Sequence, residues 1–173
     1  MTNAKSISTL HQLLDFNTQN YIAGEVALKK KLHDWLHIAS SFKLKAVLQK
    51  YHEYVEKNIA SLEEFIEVEK ITVLQNTNKV IHAMIEETEE KISNCSDIEV
   101  KDACLLACIQ LINHYKISAY GTAAAFANIL GLDKSATLFR NAEVNEKQID
   151  DRLSQMAEFE INKRATAPIV LPE

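Results

Sequence analysis

Apolar residues recur along most of this chain in alternating steps of four and three, the spacing of a stripe that faces a helical core. From about Thr9 to Ala39 the stripe runs Leu14, Thr18, Tyr21, Glu25, Leu28, Leu32, Trp35, Ala39. A second segment, about Ser41 to Lys70, carries Leu44, Leu48, Tyr51, Val55, Ile59, Leu62 and Ile66. A third, about Asp97 to Leu130, carries Leu105, Ile109, Ile112, Lys116, Ala119, Ala123, Phe126 and Leu130. The fourth, about Asp133 to Lys163, carries Leu138, Ala142, Glu146, Ile149, Leu153 and Met156. Each segment predicts a long helix, and the period predicts side-by-side packing in a left-handed bundle.

The boundaries are also marked. Ser96-Asp97-Ile98-Glu99 has the form of a capping box opening the third helix. Gly131 is expected to close that helix, and Asp133 to cap the start of the fourth. One or two serines join the first pair of segments, and the link between the last pair is equally short, so each pair predicts an antiparallel hairpin. About 27 residues separate the pairs, enough for a crossover containing a short helix over about Thr77–Ser93. The expected fold is all-α: a ferritin-like four-helix bundle with a short extra helix in the crossover between the second and third long helices. Residues 1–163 are expected to form one domain and residues 164–173 a C-terminal tail.

Composition agrees with the helical pattern. The chain has 173 residues but only 3 glycines and 2 prolines, against about 20 at average usage, too few turn formers for a sheet protein. No apolar run approaches the roughly 18 residues of a membrane span, so no membrane partner is expected. The net charge of −5 and the lack of a basic, aromatic patch exclude a general nucleic-acid binder. Charge is uneven: residues 61–100 hold ten acidic and three basic side chains, and residues 26–57 seven lysines and three acids. Such polarity suits docking of a second copy, and a homodimer is expected.

Three cysteines and an opening Met-Thr-Asn-Ala-Lys-Ser without an apolar export segment predict a reducing, cytoplasmic setting. Cys104 and Cys108 share a helix face, yet two thiolates are too few for a structural zinc site, and buried thiols are the expectation. His33 and His37 also share a face, with Asp34 where a zinc protease would place its general-base glutamate. No third ligand accompanies them.

The candidate chemistry lies where the stripes are interrupted. Glu25 interrupts the first, Tyr51 the second, Lys116 with Asn113 the third, and Glu146 with Asn145 the fourth. Helices of similar length meet at their midpoints, so these six residues are expected to form one buried polar layer. Buried charge is costly unless paired, which predicts a Glu25–Lys116–Glu146 ion-paired core. Bundles that hold two irons or manganeses use about four carboxylates and a Glu-x-x-His pair on each of two helices. This chain has no Glu-x-x-His, and a protonated lysine repels a dication. The expectation is no catalytic residue and no cofactor. The alternatives are iron or manganese at low occupancy on Glu25, His52 and Glu146, with Glu143 nearby, or a small ligand held between helices.

The run Asn113-His114-Tyr115-Lys116-Ile117-Ser118-Ala119-Tyr120-Gly121-Thr122 resembles the Glu-His-Tyr-Glu-Ile-Ala-x-Tyr-Gly-Thr run of the YciE/YciF-like ferritin-like proteins, a family of unknown function. The resemblance spans about Leu10 to Lys163. It places Glu25 at the family's first-helix glutamate, and Glu146 with Asp150 on part of its fourth-helix Glu-Glu-x-x-x-Asp pattern. Asn113 and Lys116 stand where the family has glutamates, Asn145 replaces another, and Tyr51 stands where it has histidine. The resemblance implies the fold and a dimer, and the substitutions remove most of the family's metal ligands.

Overall fold

The computed structural model describes residues 7–71 and 77–166, and every regular element among them is helical. The long helices are α1 (Leu10–Ile38), α2 (Phe42–Val68), α4 (Ile98–Ile129) and α5 (Asp133–Met156), with α3 (Lys79–Asn94) between α2 and α4. α1 packs along α2 and α4 along α5, forming two hairpins. α3 lies in the crossover against α1 and α4, burying Ile81, Ile85, Thr88 and Ile92. The chain is an all-α bundle, as its stripes predict.

Side-chain caps begin four of the helices. Thr9, Ser41, Asn78 and Asp97 accept backbone N–H bonds at the starts of α1, α2, α3 and α4. The capping box expected at Ser96 is not the cap that forms. Asp97 takes the bonds from Glu99 N (2.8 Å) and Val100 N (2.9 Å), because a carboxylate one residue on reaches both free donors. Asp133 is likewise the first helical residue of α5 rather than its cap, which is Leu132. The α1–α2 turn is pinned from outside: buried Asp102 of α4 accepts from Ser40 N, Ser40 Oγ and Ser41 N at 2.6–2.8 Å.

Two helices end in the same motif with different residues. After α4, Gly131 has φ +71°, Leu132 N reaches Ala127 O and Gly131 N reaches Asn128 O. After α2, Lys70 occupies the equivalent place at φ 52°, with Ile71 N bonded to Ile66 O and Lys70 N to Glu67 O. A left-handed conformation costs an ordinary L-residue about 1–2 kcal/mol and glycine almost nothing. Lys70→Gly is therefore expected to raise stability by about 1 kcal/mol. A urea midpoint unchanged or lowered by the substitution would contradict this.

α5 does not run straight into the tail. A π-helical turn, Ala157–Ile161, leads to a last turn, Asn162–Ala165. The extra residue keeps Met156 and Ile161, five apart, both in the core, while Glu160 turns out to meet Lys43 at 2.8 Å. The helix thus extends two residues beyond Lys163. The expected tail falls mainly at 167–173, outside the described residues.

The core has two apolar clusters. One gathers Leu28, Leu32, Trp35, Leu48, Tyr51, Ile109 and Leu153. The other gathers Leu14, Leu62, Phe65, Tyr120, Ala124 and Phe139. Four stripe positions move by one residue: Asn58, Tyr120, Ala127 and Phe139 are buried where the pattern places Ile59, Ala119, Phe126 and Leu138. A straight helix advances 3.6 residues per turn, so a strict seven-residue repeat drifts by about 20° per heptad. That drift explains Tyr120 and Ala127, late in α4. Asn58 and Phe139 sit on unbroken four-three series, through Val55 and Leu62 and through Ala142 and Glu146, which the apolar Ile59 and Leu138 mask.

Candidate functional site

The four long helices bring Glu25, Tyr51, Asn113, Lys116 and Glu146 together between the two apolar clusters. Lys116 Nζ lies 3.0 Å from Glu25 Oε2 and 2.7 Å from Glu146 Oε1. It also sits over the Tyr51 ring, 4.7 Å from the centroid. Exposure is 5% for Lys116, 2% for Glu25 and 0% for Glu146, so solvent screens none of these charges.

Neutral donors complete the shell. Asn113 Nδ2 donates to Glu146 Oε2 (2.8 Å) and to the Glu146 carbonyl oxygen (3.1 Å). Asn58 Nδ2 bridges Glu25 Oε1 (3.3 Å) and Glu146 Oε1 (3.2 Å). The Tyr120 hydroxyl donates to Glu25 Oε1. Every oxygen of both carboxylates therefore faces a donor or the ammonium. The ammonium meets its carboxylates at ion-pair distance but off the hydrogen-bond direction, and the Tyr51 hydroxyl and Asn113 Oδ1 lack well-formed hydrogen bonds.

Two carboxylates and one ammonium carry a formal net charge of −1, and the titration behaviour follows from it. Burial by itself lowers the Lys116 ammonium, but Glu146 and Glu25 outweigh burial and hold it above its usual range. Burial pushes the Glu146 carboxyl up, Lys116 opposes the rise and Glu25 adds to it. Burial, then the same two carboxylates, push the Tyr51 and Tyr120 hydroxyls well above the ordinary tyrosine value. Each direction lessens the surplus negative charge.

Other expected site residues lie elsewhere. Asn145 is half-buried and lines a cleft of about 630 Å³ between α2 and α5. It precedes Glu146 by one residue, about 100° around the helix, which carries it off the core-facing stripe. His52 is half-buried and faces Glu56 at 3.9 Å. Glu143 is buried against Gly121, where a Cβ would stand 3.3 Å from its carboxyl carbon, and it pairs with Arg140 and with Lys147 at 2.6 Å. His114 bonds Asp150 at 2.8 Å on the surface, and His33 and His37 are exposed. Asn58 and Tyr120 were missed. Both carried a signal: Asn58 is seven residues after Tyr51, and Tyr120 one turn after Lys116.

The donor set does not fit a di-metal centre. The two carboxylates that could ligate are bridged by an ammonium, and among the described residues no group of three or more His, Cys, Asp or Glu side chains is arranged to hold a metal ion. Nor is any helix among them long and apolar enough to cross a membrane. The α2–α5 cleft is also lined by Asn58 and Tyr120, so it reaches the edge of the layer from the surface.

Residues 9–166 match the family described as Domain of unknown function (DUF892), and the chain belongs to that family. Protein YciF of Escherichia coli (strain K12) is 31% identical over 144 residues, 83% of this chain and 87% of that protein. The crystal structure of that Escherichia coli stress protein superposes with a TM-score of 0.86 at 26% sequence identity, covering 91% of this chain and 99% of the other. YcfI of Rhodopseudomonas palustris, described as a candidate structural protein, superposes with a TM-score of 0.83 at 25% identity, covering 87% and 96%.

Proposed function

From this family membership and the buried layer we propose a ferritin-like protein in which an ion-paired layer replaces a di-metal centre, acting without catalysis as a dimeric stress-related or structural component. The observation that carries this reading is the place of Lys116 Nζ, 3.0 and 2.7 Å from the carboxylates of Glu25 and Glu146. There an ammonium supplies the positive charge that paired carboxylates elsewhere draw from metal ions. The relatives support the role only by description, one as a stress protein and one as a candidate structural protein. The outer face of α4 supports the dimer: Leu111 and Ile129 are 58% and 80% exposed, with exposed Ser118, Thr122 and Ala125 between them. Small side chains flanked by apolar ones allow close approach of a second copy.

One preparation tests both parts. Protein purified from cells supplemented with iron and manganese is expected to carry well under one metal ion per chain, and to scatter light as twice its 19.6 kDa chain mass. Stoichiometric metal removed by a chelator, with Glu25 and Glu146 as ligands, would overturn the metal-free reading. A monomer at every concentration would overturn the dimer.

A further inference from the structure

His33 and His37 take no part in the charged layer, and both imidazoles stand exposed on the last two turns of α1. Among the described residues neither ring makes a hydrogen bond or an ion pair. By contrast, His11, His52 and His114 each face a carboxylate. Residues four apart on a helix share a face, and here the two rings meet each other, with centres 5.2 Å apart and planes crossed at 80°.

Zinc lies about 2.0–2.1 Å from an imidazole nitrogen and so about 3.2 Å from the ring centre, which sets two rings on one tetrahedral ion about 5.2 Å apart. An ion that prefers right angles, such as copper(II) or nickel(II), would draw the centres to about 4.5 Å. The observed 5.2 Å matches the tetrahedral case. The position suits a cation as well. A helix carries partial negative charge at its carbonyl end, and His37 lies in the last turn of α1. Lys29 and Lys31 nearby are already paired, with Glu56 at 2.9 Å and with Asp34 and Glu89 at 3.7 and 3.5 Å. Lys30, one turn before His33, opposes an added cation, but its side chain is exposed and its charge is screened by water and salt.

We propose that His33 and His37 form a surface chelate for zinc, one ion held by a nitrogen of each ring with water completing its shell. Two protein donors are fewer than the four of a structural centre or the three of a catalytic one, so the ion is held weakly and reversibly. Iron(II) and manganese(II) stand lower in the affinity series for nitrogen donors. The iron and manganese content of the charged layer and the zinc affinity of this pair therefore succeed or fail independently. Thiols are the competing zinc donors in this chain. Cys108 is buried and Cys95 and Cys104 are half-buried, so the expectation of buried thiols holds for Cys108 and not for Cys104.

The test titrates zinc chloride into the full chain by calorimetry, in a non-coordinating buffer at neutral pH. The wild type is expected to bind one zinc per chain in the micromolar range. His33→Ala and His37→Ala each reduce the chelate to a single imidazole and are expected to weaken binding on the order of 100-fold. The double variant is expected to be no weaker than either single one. His37→Ala combined with Ile38→His keeps two histidines but sets them five apart, and is expected to stay weak. His82→Ala, on the exposed face of α3, is expected to bind as the wild type does. All these side chains are exposed, and circular dichroism checks that each variant keeps its helices. A wild type that binds no zinc at millimolar concentration would overturn the proposal. So would undiminished binding in either single variant, a further loss in the double variant, recovery with Ile38→His, or a loss in His82→Ala.

Discussion

Lys116→Ala is expected to lose about 3–5 kcal/mol of folding stability, a large share of the roughly 5–15 kcal/mol that holds a domain together. The substitution leaves Glu25 and Glu146 facing each other, 2% and 0% exposed, without the cation that lies between them. Lys116→Met is expected to be nearly as harmful, since its apolar stem replaces the volume and leaves both carboxylates. A lysine that reached solvent would behave differently, but Lys116 is 5% exposed and holds both partners from inside the bundle. The surface pair Lys29–Glu56, 2.9 Å apart with both side chains nearly half exposed, is the internal comparison. Breaking it by Lys29→Ala is expected to cost less than about 1 kcal/mol. Urea midpoints for the two alanine variants measure the contrast, and similar small losses in both would remove the ion-paired layer from the account.

Alkaline solution is expected to unfold the protein steeply from about pH 10. In the unfolded chain Tyr51 and Tyr120 ionise near 10.0, whereas burial beside Glu146 and Glu25 keeps both hydroxyls protonated well above that value in the fold. Above pH 10 the unfolded state therefore binds fewer protons than the folded state. The stability these tyrosines contribute is complete below pH 10 and falls as pH rises, by about 1.4 kcal/mol per pH unit for each, or about 3 for the pair. Lys116, held above its ordinary 10.5, acts in the same direction. Acid behaves otherwise at this site. The raised Glu146 carboxyl takes its proton sooner in the fold than in the unfolded chain, so falling pH removes no stability through that group. Denaturation curves at pH 9, 10 and 11 check the slope, with Tyr51→Phe expected to flatten it by about 1.4 kcal/mol per unit. A stability that stays level to pH 11 would contradict the burial of these hydroxyls.

The hairpins and the layer were legible because both depend on period and on rare interruptions of it. Glu25, Tyr51, Lys116 and Glu146 break apolar stripes at matching depth, and no local preference explains an ion at such a position. Asn58 was hidden by the apolar Ile59 beside it, although the four-three series passes through Asn58. Tyr120 was hidden because a tyrosine on a stripe reads as core, and it is core, with a hydroxyl that also reaches Glu25. Asn145 shows the reverse error: its neighbour Glu146 faces inward, and adjacent helical residues do not share a face. The π-turn at Ala157–Ile161 had only a faint mark, the five-residue step from Met156 to Ile161. The pinning of the α1–α2 turn by Asp102 had none, since a buried acid serving two serines some sixty residues away leaves no local pattern.

The central claim is that Lys116 is required because two buried carboxylates need a cation, and one comparison of stabilities tests it most directly. The triple variant Lys116→Met, Glu25→Gln, Glu146→Gln removes the cation and its need together, leaving amides that Asn58, Asn113 and Tyr120 can still hydrogen-bond. Its denaturation midpoint is expected to recover most of the loss seen in Lys116→Met alone. A triple variant no more stable than Lys116→Met would mean that the lysine holds the bundle for a reason other than the charge of Glu25 and Glu146.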